Sequence, residues 1–154
     1  MLPFYETLAE RFHGLHEEIR NDLNSLPLEA LDWKPGQEMN SVSVIITHLT
    51  GAERFLIGDV VMQEPSNRNR DAEFLVKGLT KEDLLRRLDE TDAYITGALD
   101  RLTMEDLFTE RLHPRRGDQV KVSWALLHAL EHVATHLGHI NITTQLWHQR
   151  SSGE

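Results

Sequence analysis

Hydrophobic residues recur every three or four positions in four stretches of the chain, the spacing that places them on one face of an α-helix. The stretches cover residues 4–25, 41–62, 80–101 and 123–148. In the first, the predicted buried positions are Phe4, Leu8, Phe12, Ile19 and Leu23. In the last, they are Leu126, Leu130, Val133, Leu137 and Ile140. Each pattern predicts an amphipathic helix that faces a common core.

Capping residues stand at the predicted helix starts. Asn40 or Ser41 can cap the second helix, and the residues from Thr80 to Asp83 resemble a capping box at the third. We expect Ser123 to cap the fourth.

The connections contain the helix breakers. Residues 26–40 hold two Pro and one Gly, and Trp33 is expected to pack over a helix end. Residues 63–79 and 103–122 form two longer connections, the second with a short extended piece near Val120. We therefore predict an all-α four-helix bundle that spans residues 1–154 as one domain, with long connections between helices two and three and between three and four.

Composition narrows the function classes. The formal net charge of −9 argues against a nucleic-acid binder and against attachment to an anionic membrane. No apolar run approaches the roughly 18–20 residues that cross a bilayer, and no signal-peptide pattern is seen at the N-terminus. With no cysteine, thiolate ligands and a Cys nucleophile are excluded, and we expect a cytoplasmic protein.

Histidines form the candidate chemical site. Five of the nine lie in the last predicted helix, where His132 and His136 are one turn apart on one side. His48, beside the apolar stripe of the second helix, could supply a third ligand to one divalent ion. Three protein ligands leave positions open for water or substrate, as in catalytic sites. His128 with His132 is a competing pair, and a histidine-rich polar face without metal is the simplest alternative.

Other polar residues are weaker candidates. We expect His13 and His16 to be surface residues. Glu53 and Glu131 are expected to lie at the surface or to support a ligand from behind. An exposed group of His113, Arg115 and Arg116 could contact a substrate anion, although an ordinary polar turn is the interpretation that we favour.

Two groups of short motifs resemble a known superfamily. The first group comprises LDWKPG at residues 31–36, NSV at 40–42 and THL at 47–49. The second comprises WALLH at 124–128 and EHVATHLGHI at 131–140. In order and spacing they are similar to the DinB/YfiT-like superfamily of four-helix bundles, which includes S-transferases that use mycothiol or bacillithiol. The resemblance covers nearly the whole chain.

The resemblance implies a metal triad of His48, His132 and His136, which favours the 132/136 pair over 128/132. Two positions depart from the pattern. Leu137 stands where many relatives carry Arg, and His139 stands where many carry Gln. His139 could instead support a ligand.

These observations lead to a functional hypothesis. A divalent metal, which we expect to be zinc or nickel, would activate water or a low-molecular-weight thiol for hydrolysis or for thiol transfer to a small electrophile. The alternatives are a non-catalytic metal- or ligand-binding bundle of the stress response and a structural dimer whose histidines merely pack. A small-molecule substrate and a homodimer are expected from the superfamily.

Overall fold

The computed structural model describes residues 1–150 and confirms the predicted four-helix bundle. Its helices are α1 Pro3–Ser25, α2 Val42–Glu53 with a π-helical continuation Arg54–Met62, α3 Arg70–Glu73, α4 Lys81–Leu99 and α5 Val122–Arg150. Two strands, β1 Glu110–Leu112 and β2 Gln119–Lys121, form an antiparallel hairpin. Short 3₁₀ turns occupy Leu28–Ala30 and Glu105–Phe108. The helix α3 is a single turn inside the connection 63–79, so the four long helices alone build the bundle.

The long helices are arranged so that those carrying candidate ligands touch. Helix α1 packs against α4 and α5, and α2 packs against the same two helices. The helices α1 and α2 therefore lie at opposite corners. Because α2 and α5 are neighbours, His48 can approach His132 and His136.

The predicted apolar faces are buried, with one exception. On α5, Leu126, Val133, Leu137 and Ile140 are buried, and Leu130 is partly buried. On α1, Phe4 is exposed, which corrects the sequence prediction. The adjacent Tyr5 is fully buried instead, and its hydroxyl donates a hydrogen bond to the carbonyl of Thr103 at 2.7 Å. Within residues 1–150, no helix combines the length and the apolar character needed to cross a membrane.

Two of the predicted caps are confirmed. The Ser41 hydroxyl accepts a hydrogen bond from the Val44 amide at 3.3 Å, and Thr80 forms a capping box with Asp83 at the start of α4. Ser123 is not a cap, because α5 begins one residue earlier at Val122. The strand β2 leads directly into that helix, so tertiary pairing sets its start.

The connections also agree with the sequence pattern. Trp33 packs against Trp147 near the end of α5, with ring centroids 5.5 Å apart. The hairpin includes the extended piece predicted near Val120, which pairs with Arg111.

Candidate metal centre

His48, His132 and His136 converge between α2 and α5. One nitrogen from each ring lies within 4.8 Å of the other two. The ring centroids are 5.1 Å apart for His48 and His132, and 4.4 Å apart for His132 and His136. Two rigid helices therefore hold three imidazoles around one point, an arrangement that fits a divalent ion with a position open for a further ligand.

The electrostatics of the cluster favour neutral imidazoles. Burial, together with the nearby rings of His136 and His48, lowers the pKa of His132 to about 3. Burial and the neighbouring His48 lower the pKa of His136 to about 4. Both rings are therefore uncharged at neutral pH and keep the lone pair that a metal needs. The buried Nδ1 of His132 also lacks a hydrogen-bond partner within residues 1–150, and metal ligation would satisfy such an atom.

A carboxylate orients His48 from behind. The Nδ1 of His48 lies 2.8 Å from Oε2 of Glu73. Burial alone would raise the pKa of the Glu73 carboxyl, but hydrogen bonds from His48 and Arg68 outweigh it and lower that pKa. The ionised carboxylate can only accept, so Nδ1–H of His48 donates. This leaves the lone pair of His48 on Nε2, the tautomer required of a metal ligand held through Nδ1.

The Glu73 carboxylate is itself held on two sides. The guanidinium of Arg68 donates to both of its oxygens, at 2.5 and 2.9 Å. Gly51 lies directly beneath it, and a Cβ at Gly51 would meet Glu73 Oε1. The turn α3 that carries Glu73 is capped by Asn69, whose side chain accepts from the Ala72 amide at 3.2 Å. These contacts hold the part of the connection 63–79 that carries Glu73 in one conformation.

We expect Glu73→Ala to weaken metal binding by roughly 10- to 100-fold, the usual effect of losing a carboxylate behind a histidine ligand. The dissociation constant for Zn²⁺ would be measured by competition with a chromophoric chelator at pH 7.5. Asp71→Ala is the matched control, because Asp71 lies on the same turn, is exposed and carries the same charge. Equal Zn²⁺ affinity in the Glu73 and Asp71 variants would contradict an orienting role for Glu73.

The remaining histidines of α5 lie around the triad. The ring of His128 stacks on Trp124, with centroids 4.8 Å apart and an interplanar angle of 17°, and it is absent from the converging group. His139 Nδ1 lies 3.2 Å from Nδ1 of His136, so His139 contacts a candidate ligand as the sequence suggested. Glu131 is exposed beside His128, as expected of a surface group.

Two adjoining cavities lead to the triad. We call the inner cavity the space of about 170 Å³ whose wall includes His48, His132, Phe55 and His113. We call the outer cavity the space of about 610 Å³ whose wall includes Pro114, Asn69 and Asp71. The two share Phe55, Arg68, Arg70 and Arg115. A small molecule can therefore reach the imidazoles through a mouth that arginines surround.

The turn that follows β1 differs from its predicted description. His113 was expected to be exposed but is buried, with its Nδ1 accepting a hydrogen bond from the Arg116 amide at 3.2 Å. Arg116 pairs with Asp118. Arg115 is exposed and lines both cavities. The hairpin orders this turn, so only part of the expected group faces the mouth.

Two further predictions are wrong because charged residues pair inside the bundle. His16 was expected at the surface, yet it is fully buried. Its Nε2 lies 3.0 Å from Glu53 Oε1, and its Nδ1 lies 2.6 Å from Asp92 Oδ1. Glu53 is also fully buried, so it is neither a surface group nor a support for a ligand. His13 is exposed as predicted.

A family model described as "Protein of unknown function (DUF1572)" matches residues 2–151. The chain belongs to this family. No curated protein sequence matches the chain. The comparison with solved structures shows that this DUF1572 protein shares the fold of DinB-like proteins, the fold that the sequence resemblance implied.

Three solved structures illustrate the likeness. A conserved protein from Enterococcus faecalis superposes with a TM-score of 0.79 at 15% identity, over 95% of this chain and 98% of that one. A DinB-like protein from Bacillus cereus gives a TM-score of 0.74 at 15% identity, over 91% and 90%. YfiT from Bacillus subtilis gives 0.73 at 16% identity, over 94% and 89%, and is described as a probable metal-dependent hydrolase with an unusual four-helix bundle topology. At these identities the likeness establishes the fold.

Proposed function

We propose that this DUF1572 protein is a divalent-metal-dependent enzyme that hydrolyses a small electrophilic substrate, with His48, His132 and His136 as the ligands. The convergence of three histidine nitrogens on one point carries the proposal. The similarity to YfiT, described as a probable metal-dependent hydrolase, supports it. We propose zinc or nickel as the ion, because both suit a site made only of imidazole.

Each part of the site has a role in this proposal. An ion held there would supply activation of water, or of a low-molecular-weight thiol, as a nucleophile at neutral pH. Arg68 and Glu73 hold His48 in the ligating tautomer. The inner cavity, at about 170 Å³, admits a small substrate. No carboxylate is among its lining residues. The acceptor nitrogen of His113 is occupied by the Arg116 amide, so His128 is the wall group outside the candidate ligands that could accept a proton from the nucleophile.

Thiol transfer to a small electrophile is a second reaction that the same centre could perform. It is favoured by the sequence motifs shared with the thiol-dependent S-transferases. The two reactions need the same histidines and differ only in the nucleophile, so one set of variants tests both.

Turnover tests the proposal. Metal-loaded protein would be assayed with small esters and amides, and separately with low-molecular-weight thiols plus electrophiles. We expect activity that the His48→Ala/His132→Ala/His136→Ala variant lacks. A folded, metal-containing parent that turns over none of these compounds would favour the non-catalytic binding bundle instead.

A further inference from the structure

The wall of the outer cavity carries net positive charge, whereas the protein as a whole carries net negative charge. Its wall contains Arg68, Arg70 and Arg115 against one carboxylate, Asp71, in a chain of net charge −9. A concave surface of one sign concentrates ligands of the opposite sign. The mouth of the site is therefore suited to anions although the protein as a whole repels them.

Two of these arginines are available to a ligand. Arg68 is neutralised by Glu73. Within residues 1–150, no carboxylate pairs with Arg70 or Arg115. The two come from different segments, the connection 63–79 and the turn after β1, and the fold brings them to one opening. Guanidinium groups gathered without paired acids are typical of carboxylate or phosphate recognition.

Both free arginines are close to the histidine triad. The guanidinium of Arg70 lies 5.0 Å from the centroid of the Phe74 ring. That ring lies 4.9 Å from the ring of His48. Arg115 lines the inner cavity together with His48 and His132. One aromatic side chain therefore separates Arg70 from a candidate ligand, and Arg115 borders the same space as the triad.

The wall between the cavities adds an apolar surface. Phe55 lines both cavities and packs against His113, with ring centroids 5.4 Å apart. A ligand with an acid group at the arginines would place its body along this ring on the way to the histidines.

We propose that the substrate carries an acid group, a carboxylate or a phosphate, which Arg70 and Arg115 bind while its reactive part lies at the triad. The position of the reactive part rests on the proposed function. The binding of the acid group does not, and it can be measured without turnover.

The test compares three probes that share a phenyl ring: benzoate, phenylphosphonate and the uncharged benzamide. Calorimetric titration of the protein as purified would give their dissociation constants. In Arg70→Gln/Arg115→Gln we expect the affinity for the better acid probe to fall roughly tenfold or more, with little change for benzamide. The acid probe that binds with the lower dissociation constant identifies carboxylate or phosphate as the preferred group.

Arg11→Gln/Arg86→Gln is the matched control, because it removes the same charge from exposed positions on α1 and α4. Unchanged acid binding in this control would attribute the loss to the mouth rather than to net charge. Equal acid affinity in the parent and in the Arg70/Arg115 variant would overturn the proposal. The proposal would also be overturned if the parent bound both acid probes no more tightly than it binds benzamide.

Metal content, measured on every variant, separates the two proposals. Acid binding that disappears in the triple histidine variant but is unchanged in the Arg70/Arg115 variant shows that an ion alone holds the acid, which overturns the arginine site and leaves the metal centre intact. A parent without metal whose acid binding still depends on Arg70 and Arg115 supports the arginine site while the proposed function fails.

Discussion

The protein purified without an affinity tag is expected to contain about one equivalent of divalent metal, and the His48→Ala/His132→Ala/His136→Ala variant none. Three imidazoles from two packed helices are already gathered in the fold, so binding needs little reorganisation. Elemental analysis by plasma mass spectrometry would measure the metal, and circular dichroism would verify that both proteins are helical.

His128→Ala is the matched control for this experiment. His128 lies one turn before His132 on the same helix, but it stacks on Trp124 and is outside the converging group. We expect it to retain metal, whereas the single variant His48→Ala loses most of it. Retention by His48→Ala together with loss in His128→Ala would restore the 128/132 pair as the site.

The parent also needs a test of capacity, because purification can strip metal. Reconstitution with Zn²⁺ or Ni²⁺ at pH 7.5, well above the pKa values of His132 and His136, covers that case. A parent that takes up neither ion under these conditions would remove the metalloenzyme proposal. Unfolding of His48→Ala alone would favour a packing role for that ring.

Local helical spacing predicted the fold and the pair His132 and His136, but it did not predict that His48 would join them. Helical periodicity is local, so the four long helices follow from the spacing of apolar residues. The spacing of His132 and His136 fixes their common face once the helix is accepted. The third ligand required a tertiary fact, the adjacency of α2 and α5, which the family resemblance implied and the apolar pattern alone did not.

The support of the triad could not be read from the sequence. Glu73 and Arg68 lie in the long connection 63–79, whose conformation is set by its contacts with α2 rather than by a periodic pattern. The general rule that ligating histidines bind a carboxylate says that such a partner exists but not which one. The role of Gly51 could not be predicted from the sequence either, because this residue acts by leaving space for the Glu73 carboxylate. In α2 it reads only as a weak helix former.

The burial of His16 did have a signal. Residues 12, 16, 19 and 23 follow helical spacing, and His16 occupies a position of the buried face of α1. Its acidic and polar sequence neighbours suggested the surface instead. The residues that make burial tolerable, Glu53 on α2 and Asp92 on α4, are distant in sequence. Ion pairing between helices therefore buries His16, although its sequence neighbours had indicated a surface position.

His16→Ala is expected to lower the free energy of unfolding by roughly 3–5 kcal/mol at pH 7, the cost of breaking a buried ion pair by removing one partner. Glu53 would be left fully buried without its cation. Among residues 1–150, Asp92 would keep only Arg20 and a distant, exposed His13. Denaturant unfolding, followed by circular dichroism, would give the difference.

The contribution of His16 to the free energy of unfolding should also depend on pH. Burial alone would lower the pKa of His16, but the charges and hydrogen bonds of Glu53 and Asp92 outweigh it and raise that pKa to about 9. Because the unfolded value is about 6.5, the contribution of protonated His16 is fully present below pH 6.5 and is lost as the pH rises through about 9.

The two carboxylates have opposite effects at low pH. Although burial acts to raise the pKa of Asp92, the hydrogen bonds and charges of His16 and Arg20 lower it from 3.8 to about 2. Its contribution is therefore fully present above pH 3.8 and is lost as the pH falls through about 2. Burial raises the pKa of Glu53, and its ionisation therefore costs stability above its ordinary value. Asp92 does not titrate on the alkaline limb, so the contribution of His16 is read there by comparison with a variant that keeps His16 and Glu53.

His13→Ala is the control, because His13 lies on the same helix, is exposed and reaches Asp92 only at 3.4 Å. We expect it to change the unfolding free energy by less than about 0.5 kcal/mol and to keep the alkaline decline of the parent. In His16→Ala, that decline between about pH 6.5 and 9 should be largely absent. If both variants lose the same small amount of stability and keep the decline, the His16–Glu53–Asp92 cluster does not hold α1 to α2 and α4, and the packing of Phe12 and Ile19 must do so alone.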